Sequence, residues 1–197
     1  MKRIRKLIAA ALAGLLALML LAGCEEVPVP QAPTDASAEL VAMMNDTLKS
    51  PTMSVGMVKD VKELKVDPQL NAKAQNAAAF IVEKSNGLDL SFVAKDLEKA
   101  LPVLADDPYI YRVSYAKNVS YKTDYFNKNK TYEIARALLA EGNDDVNYCY
   151  LNQYRGNRGE DYYTPAKESV VSVGFAQTKD GDYIVAVMRF PAQLSTF

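Results

Sequence analysis

Histidine and tryptophan are absent from this chain of 197 residues, and cysteine occurs only twice, as Cys24 and Cys149. Histidine is the usual proton carrier near neutral pH, so its absence excludes the Ser-His and Cys-His arrangements of nucleophilic catalysis. Carboxylate pairs, a Ser-Lys dyad and hard metal ions on carboxylates remain as chemistries. The sequence contains no motif for any of them, and we therefore predict no catalytic residue, no metal site and no cofactor.

Two cysteines are too few for a disulfide framework. Cys149 lies between two tyrosines in the sequence. Free cysteine is among the most buried residue types, so we expect Cys149 to pack in the core as a small hydrophobic side chain.

Charge of either sign is not in large excess, with 23 basic and 24 acidic side chains. The first 23 residues contain four basic side chains, all within positions 2–6. Residues 24–197 therefore carry 19 basic and 24 acidic groups. Proteins that bind nucleic acid usually show a basic footprint, so we predict no nucleic-acid partner. The length fits a single folded domain with one ordinary core.

The first 24 residues have the three-part layout of a secretory signal. A basic start is followed by 17 residues without charge (7–23) and then by Cys24. Residues 21–24 (LAGC) resemble the lipobox of bacterial lipoproteins, which implies cleavage between Gly23 and Cys24 and attachment of lipid to Cys24. A plain signal peptide and an uncleaved anchor are the alternatives, the latter because 17 apolar residues are at the short limit for crossing a bilayer.

A lipid on Cys24 implies anchoring to the extracytoplasmic face of the cell membrane, or to the outer membrane if the host is Gram-negative. Two or more acyl chains hold a protein stably, whereas one chain gives marginal binding. We predict a signal peptide over residues 1–23, a lipidated cysteine with a proline-rich tether over 24–37, and a folded domain over 38–197. The alternating prolines of the tether favour extended polyproline II, which at ~3.1 Å per residue reaches about 40 Å.

Apolar spacing in the folded part predicts four helices. They are expected over residues 37–50, from Asp67 to Gly87, over 91–101 and over 130–141. Asp67 precedes a proline and is the expected N-terminal cap of the second helix. Residues 55–66 have apolar positions that suit a helix, but the segment is short and its assignment stays open.

Alternating apolar and polar residues predict strands in the second half of the chain. In the strand predicted over residues 109–121, Arg112 and Ser114 are expected on the solvent side. Residues 146–152 alternate too, although a helix also fits them, and 155–165 are expected to form a polar loop. The segments 170–177 and 183–190 flank an Asp-Gly pair, which predicts a β-hairpin. Helices followed by strands predict an α+β fold.

Three separated segments together resemble the CAP superfamily, also called the SCP or pathogenesis-related-1-like superfamily. They are residues 39–45 (ELVAMMN), residues 64–78 (LKVDPQLNAKAQNAA), and the pair 171–176 (VSVGFA) and 182–190 (DYIVAVMRF). They are similar to the family's opening helix, to its Asp-Pro helix start and to its closing hairpin. The resemblance implies a three-layer α-β-α sandwich with a C-terminal β-hairpin over residues 38–197.

The chain departs from the family at the cleft. Many family members hold two histidines and two acidic residues there, sometimes with a divalent metal, and a chain without histidine has no such site. The family's Gly-Glu-Asn element aligns with residues 116–118, which puts lysine where the glutamate would be. The resemblance implies a cleft that involves five residues, namely Lys117, Asn118, Arg158, Glu160 and Tyr163.

These observations predict a lipid-anchored extracytoplasmic protein that displays a non-catalytic CAP-like binding domain. Its partners would be the membrane, through Cys24, and a glycan, lipid or protein of the cell envelope. Two alternatives remain open. One is a structural envelope lipoprotein of another α+β fold, and the other is a hydrolase that uses carboxylates or a Ser-Lys dyad.

Overall fold

The computed structural model describes residues 34–50, 57–84, 90, 94–102, 107–118, 124–140, 147–155 and 161–195. The predicted signal peptide, Cys24 and most of the tether lie outside the described residues. So do Gly87 and two residues of the predicted cleft, Arg158 and Glu160. The structure therefore bears on the folded part of the chain alone.

Helices occupy the four predicted regions of the chain. They are α1 (Thr34–Leu48), α2 (Asn71–Lys84), α3 (Ala94–Ala100) and α4 (Asp124–Leu139), with 3-10 turns at Met57–Asp60 and Pro68–Leu70. The predicted Asp67 cap is confirmed at the 3-10 turn that leads into α2. Asp67 Oδ1 accepts a hydrogen bond from Gln69 N at 3.0 Å, and Pro68 occupies the first turn, where a missing N–H costs nothing.

Seven strands are present in the described residues. They are β1 (Val61–Val66), β2 (Tyr109–Lys117), β3 (Tyr148–Leu151), β4 (Tyr154–Arg155), β5 (Asp161–Pro165), β6 (Ser169–Gln177) and β7 (Tyr183–Leu194). The predicted C-terminal hairpin is confirmed as β6 and β7, and the predicted α+β class is confirmed as well. In the segment 55–66, whose assignment was open, the described residues 57–66 form a 3-10 turn and strand β1 instead of an α-helix.

The main part of the sheet has the strand order β1-β6-β7-β2-β3. β1 runs parallel to β6, and the other neighbours are antiparallel. β5 pairs with the last residues of β7, and β4 pairs with β5, which extends the sheet at one end. Arg155 ends β4 and residues 161–165 form β5, so the prediction of a polar loop over residues 155–165 is wrong at these residues. Residues 156–160 lie outside the described residues.

Helices pack on both faces of this sheet. Side chains alternate between the faces along a strand, and β2 shows the division. Ile110 and Ala116 join one hydrophobic cluster with residues of α1 and α4. Tyr111 and Val113 join a second cluster with residues of α2 and α3. The core thus consists of two apolar layers, one on either side of the strands.

The prediction that β2 is half buried is wrong. Arg112 and Ser114, expected on the solvent side, are both 0% exposed. β2 lies between β7 and β3 with helices over both of its faces, so the side chains from Ile110 to Ser114 are buried on both faces of the strand. Arg112 and Ser114 are therefore core residues. Arg112 donates hydrogen bonds to backbone carbonyl groups, whereas the Ser114 hydroxyl makes no hydrogen bond within the described residues.

Candidate functional site

One asparagine joins α1 to the outer edge of β1. Asn45 Nδ2 donates a hydrogen bond to Leu64 O at 3.0 Å, and Leu64 N donates to Asn45 Oδ1 at 2.8 Å. The side-chain amide thereby serves the backbone as a neighbouring strand would. A buried backbone group left unpaired costs about 1–3 kcal/mol, so this pair fixes the position of α1 against the sheet.

The start of α2 is held against β6 by two hydrogen bonds and a close approach. Asp67 N donates to Val173 O at 2.8 Å, and Phe175 N donates to Asn71 Oδ1 at 3.0 Å. Between these bonds lies Gly174, where a Cβ would come within 2.5 Å of Leu70. Only glycine fits at this position, because the backbone of the helix start occupies the space of a side chain.

A cleft opens where β2 ends beside the start of β7. It encloses about 320 Å³ and is lined by Lys117, Asn118, Asp182 and Tyr183. We call it the β2–β7 cleft. Lys117 is the register partner of Tyr183, which places the two side chains on the same face of the sheet. This volume is at the lower end of the range for small-molecule sites.

Asn118 ties the two walls of the β2–β7 cleft together. Its backbone N–H donates to Asp182 O at 2.7 Å, and Nδ2 donates to Gly181 O at 2.9 Å. The ring of Tyr183 meets that of Tyr115 edge-on, with centroids 5.4 Å apart. Aromatic pairs prefer this arrangement, so the Tyr183 ring is held in place before any ligand arrives.

The hairpin turn beside the cleft is fixed by its own side chains. Thr178 Oγ1 donates to Asp180 Oδ1 at 2.5 Å, and Asp182 N donates to the same oxygen at 3.1 Å. These hydrogen bonds lower the pKa of Asp180 from its ordinary value. Gly181 has a φ of 81°, a conformation that favours glycine. The turn therefore presents Asp182 from a well-defined backbone.

No family model, curated protein or solved structure matches the chain. The resemblance to the CAP superfamily thus stays a prediction from three segments of sequence. What the cleft can bind has to follow from the residues that line it.

Among the described residues, the β2–β7 cleft offers one cation, one carboxylate and one aromatic ring. Lys117 and Asp182 are exposed, so their charges are available to a ligand and are also screened by water. A group of three or more histidine, cysteine, aspartate or glutamate side chains that could hold a metal is absent from the described residues. The cleft is equipped to bind a small polar ligand through charge and stacking.

The residues of the predicted cleft do not all come together. Lys117 and Asn118 lie in the β2–β7 cleft, whereas Tyr163 pairs with Leu194 at the other end of β7. On β7, the partner of Lys117 is Tyr183 and the partner of Tyr163 is Leu194. These two positions differ by 11 along the strand, which is roughly 35 Å at ~3.3 Å per residue. Tyr163 is therefore not part of this cleft, because β5 continues the sheet at its far end.

Two residues of the cleft were missed by sequence reasoning. Asp182 belongs to an Asp-Gly-Asp sequence that predicts a turn, and Tyr183 opens a predicted strand. Their position opposite Lys117 depends on the pairing of β2 with β7, which are 65 residues or more apart along the chain. No local signal in the sequence announces that pairing.

Arg112 is a buried cation that serves the fold. Its guanidinium donates hydrogen bonds to Leu138 O and to Ala140 O, the latter at 2.9 Å, and it lies 4.7 Å from the centroid of the Tyr148 ring. Carbonyl groups at the end of a helix lack partners within the helix and attract cations. Arg112 therefore closes the end of α4 from inside the core.

A second charged cluster lies between α2 and β2. Lys73 Nζ donates to Leu101 O at 2.8 Å and lies 5.3 Å from the centroid of the Tyr111 ring. Burial lowers the pKa of Lys73; Asp107 opposes that shift and Arg189 adds to it. Burial, together with a hydrogen bond of 2.7 Å to Asp107, raises the pKa of Tyr111. The lysine closes the end of α3, so we assign this cluster to the fold.

Three further side chains that could act as nucleophiles are buried in the described part of the chain. The hydroxyls of Ser114 and Ser169 are buried and make no hydrogen bond, so no base activates either one. Burial raises the pKa of Cys149 to about 12, which keeps its thiol protonated and unreactive. Within the described part of the chain, no helix has the length and apolar character that a membrane crossing requires.

Proposed function

We propose that this chain is a bacterial lipoprotein, held by lipid on Cys24 at the extracytoplasmic face of the cell membrane. The observation that carries this proposal is the LAGC sequence at residues 21–24, which follows a basic start and an apolar run. All three features have the order and spacing of a lipoprotein signal.

We further propose that residues 38–197 form a CAP-like α-β-α sandwich. Helices on both faces of the sheet support this assignment. The three segments that resemble the family are also bonded to one another. Asn45 of the first segment pairs with Leu64 of the second, and Asn71 of the second bonds Phe175 of the third. The three segments therefore pack together in one core, as the proposal requires.

In this proposal the domain binds a ligand at the β2–β7 cleft and catalyses no reaction. Lys117 attracts an anionic group, Asp182 accepts hydrogen bonds or attracts an amine, and Tyr183 stacks against an apolar face. These groups fit a small polar molecule of the envelope that carries a carboxylate. An extended tether would reach up to about 40 Å from Cys24 to the start of the domain.

The anchor is tested by Cys24→Ala. Metabolic labelling with a fatty acid, followed by membrane fractionation, should give a labelled membrane protein for the wild type and an unlabelled protein for the variant. Cys149→Ala is the matched control and should keep both label and fraction. Unchanged membrane retention of Cys24→Ala would instead support an uncleaved spanning helix.

The cleft is tested with muropeptides, which combine sugars with carboxylates, by titration calorimetry on the full chain in detergent. Lys117→Ala should weaken binding about tenfold, which corresponds to the loss of one charge-assisted contact. Lys179→Ala removes an exposed lysine of the nearby turn and should leave binding unchanged. Hydrolysis of the muropeptides that Asp182→Asn abolishes would contradict the non-catalytic part of the proposal.

A further inference from the structure

Two tyrosines form an exposed aromatic surface at the far end of the sheet. Tyr154 of β4 and Tyr162 of β5 are register partners, and their ring centroids are 5.0 Å apart with planes tilted by 44°. We call this pair the tyrosine platform. Tyr154 is 69% exposed, the largest value for a large apolar side chain in the described residues. A tyrosine ring so open to water adds little to the core and is accessible to a ligand.

The platform is held rigid by hydrogen bonds around it. Gln153 Nε2 donates to the Tyr162 hydroxyl at 3.1 Å, and Tyr163 N donates to Gln153 O at 2.7 Å. Ser195 N donates to Tyr162 O at 2.9 Å and fixes β5 to the end of β7. A surface whose rings are already ordered loses little conformational entropy when a ligand binds.

The opposite face of the β4–β5 pair secures it to the body of the domain. The Arg155 guanidinium lies 4.2 Å from the centroid of the Tyr163 ring and donates to Tyr109 O at 3.0 Å. Tyr163 packs against the cluster that includes α1 and α4. The charge of Arg155 is thus directed away from the tyrosine platform.

Neutral polar side chains continue the platform along the sheet. Thr164 follows Tyr162 on the same face of β5, and Gln193 is its register partner on β7. A hydroxyl and a carboxamide together donate and accept hydrogen bonds without carrying charge. The charged neighbours Asp161 and Arg155 are register partners on the other face.

The size and charge of this surface indicate which class of ligand it can bind. The described residues of this surface, two rings and two small polar side chains, fall far short of the ~800 Å² per partner that a stable protein interface buries. Among these described residues none carries a positive charge on this face, which does not suit nucleic acid or an acidic polymer. A sugar ring has an apolar face of C–H groups and a rim of hydroxyls, which matches an aromatic ring beside neutral hydrogen-bonding groups.

We propose that the tyrosine platform binds a neutral glycan chain. Sugar rings stack on Tyr154 and Tyr162, and their hydroxyls bond Thr164 and Gln193. This site is separate from the β2–β7 cleft, and it depends on the proposed export of the protein only for the source of the glycan. A chain anchored at the membrane would then hold a neutral glycan of the envelope at one end of its sheet.

The test uses the full chain in a sugar-free detergent and the hexasaccharide of N-acetylglucosamine as the probe. Because the chain has tyrosine but no tryptophan, stacking on the platform should change the tyrosine fluorescence directly. Titration calorimetry gives the affinity. Tyr154→Ala should weaken binding at least about tenfold, about 1.4 kcal/mol, whereas Tyr154→Phe keeps the ring and should stay within about threefold.

Further variants separate this proposal from the others. Lys117→Ala should leave hexasaccharide binding unchanged even if it abolishes muropeptide binding, so each site can fail alone. An acidic hexasaccharide of galacturonic acid should bind more weakly than the neutral one. The proposal is overturned if the wild type binds no neutral hexasaccharide at millimolar concentration, or if Tyr154→Ala binds as well as the wild type. It is also overturned if Tyr154→Ala changes only the sedimentation of the protein, since the platform would then join two copies of the chain.

Discussion

Replacing Gly174 by alanine should destabilise the domain more than any other single added methyl group we can identify in it. The new Cβ would lie 2.5 Å from the carbonyl carbon and Cβ of Leu70, and 2.8 Å from Asn71 N. Ordinary contacts between such atoms are ~3.5–4.0 Å, so the start of α2 has to withdraw by about 1 Å. The atoms met are backbone atoms or a Cβ, which cannot move by rotating a side chain.

The expected loss of stability has three parts. Overpacking of this kind typically costs about 1–3 kcal/mol. The bonds from Asp67 N to Val173 O and from Phe175 N to Asn71 Oδ1 border the contact, and weakening them costs about 1 kcal/mol each. Alanine has less conformational freedom than glycine in the unfolded chain, which offsets roughly 0.4–1 kcal/mol of this loss. We expect a net loss of about 2–4 kcal/mol, or roughly 5–15 °C in Tm for a domain of this size.

Urea denaturation followed by far-UV circular dichroism measures this loss. Val170→Ala is the matched control, because Val170 lies on the same strand and is 44% exposed. It should change the free energy of unfolding by no more than about 0.5 kcal/mol. If Gly174→Ala is as stable as that control, the start of α2 does not lie against β6 and the packing described here is wrong.

Three further predictions follow from the buried polar groups. Asn45→Ala leaves Leu64 N and O without their partner and should cost about 2–3 kcal/mol in urea denaturation, whereas the exposed neighbour variant Asp46→Ala should cost almost nothing. Arg112→Met removes the bonds that close α4 and should cost about 3 kcal/mol; an equal or higher stability would show that the buried charge is a net penalty. The Cys149 thiol ionises near pH 9 when unfolded and near pH 12 when folded, so its contribution is complete below pH 9 and is lost between those values. Cys149→Ala should therefore lose stability less steeply than the wild type above pH 9, by at most ~1.4 kcal/mol per pH unit, and parallel curves would contradict the buried thiol.

The local sequence pattern was sufficient to predict the regions of the four helices and the C-terminal hairpin. Asp67 before a proline, and an Asp-Gly pair between two apolar segments, act within a few residues, so their effects are visible in sequence. Burial of β2 was not visible in the same way. Arg112 and Ser114 have the polar character of a solvent-facing row, and their burial depends on α4 covering that face.

The positions of the site residues depend on pairing between strands that are far apart in the sequence, and these positions could not be predicted from it. Strands β4 and β5 are short and polar, and β5 is stabilised by pairing with the end of β7. The same pairing carries Tyr163 away from Lys117, against the arrangement expected from the family resemblance. Asp182 and Tyr183 enter the cleft only through the register of β2 with β7, which the sequence does not reveal.

The proposed lipid on Cys24 can be measured directly by mass spectrometry of the intact protein. The chain expressed in a bacterium and extracted from the membrane fraction should have lost residues 1–23. Its first residue should be Cys24, with the added mass of a diacylglycerol and, where the host adds one, of an N-linked acyl chain. A protein that retains Met1, or one that begins at another residue without lipid, would contradict this proposal.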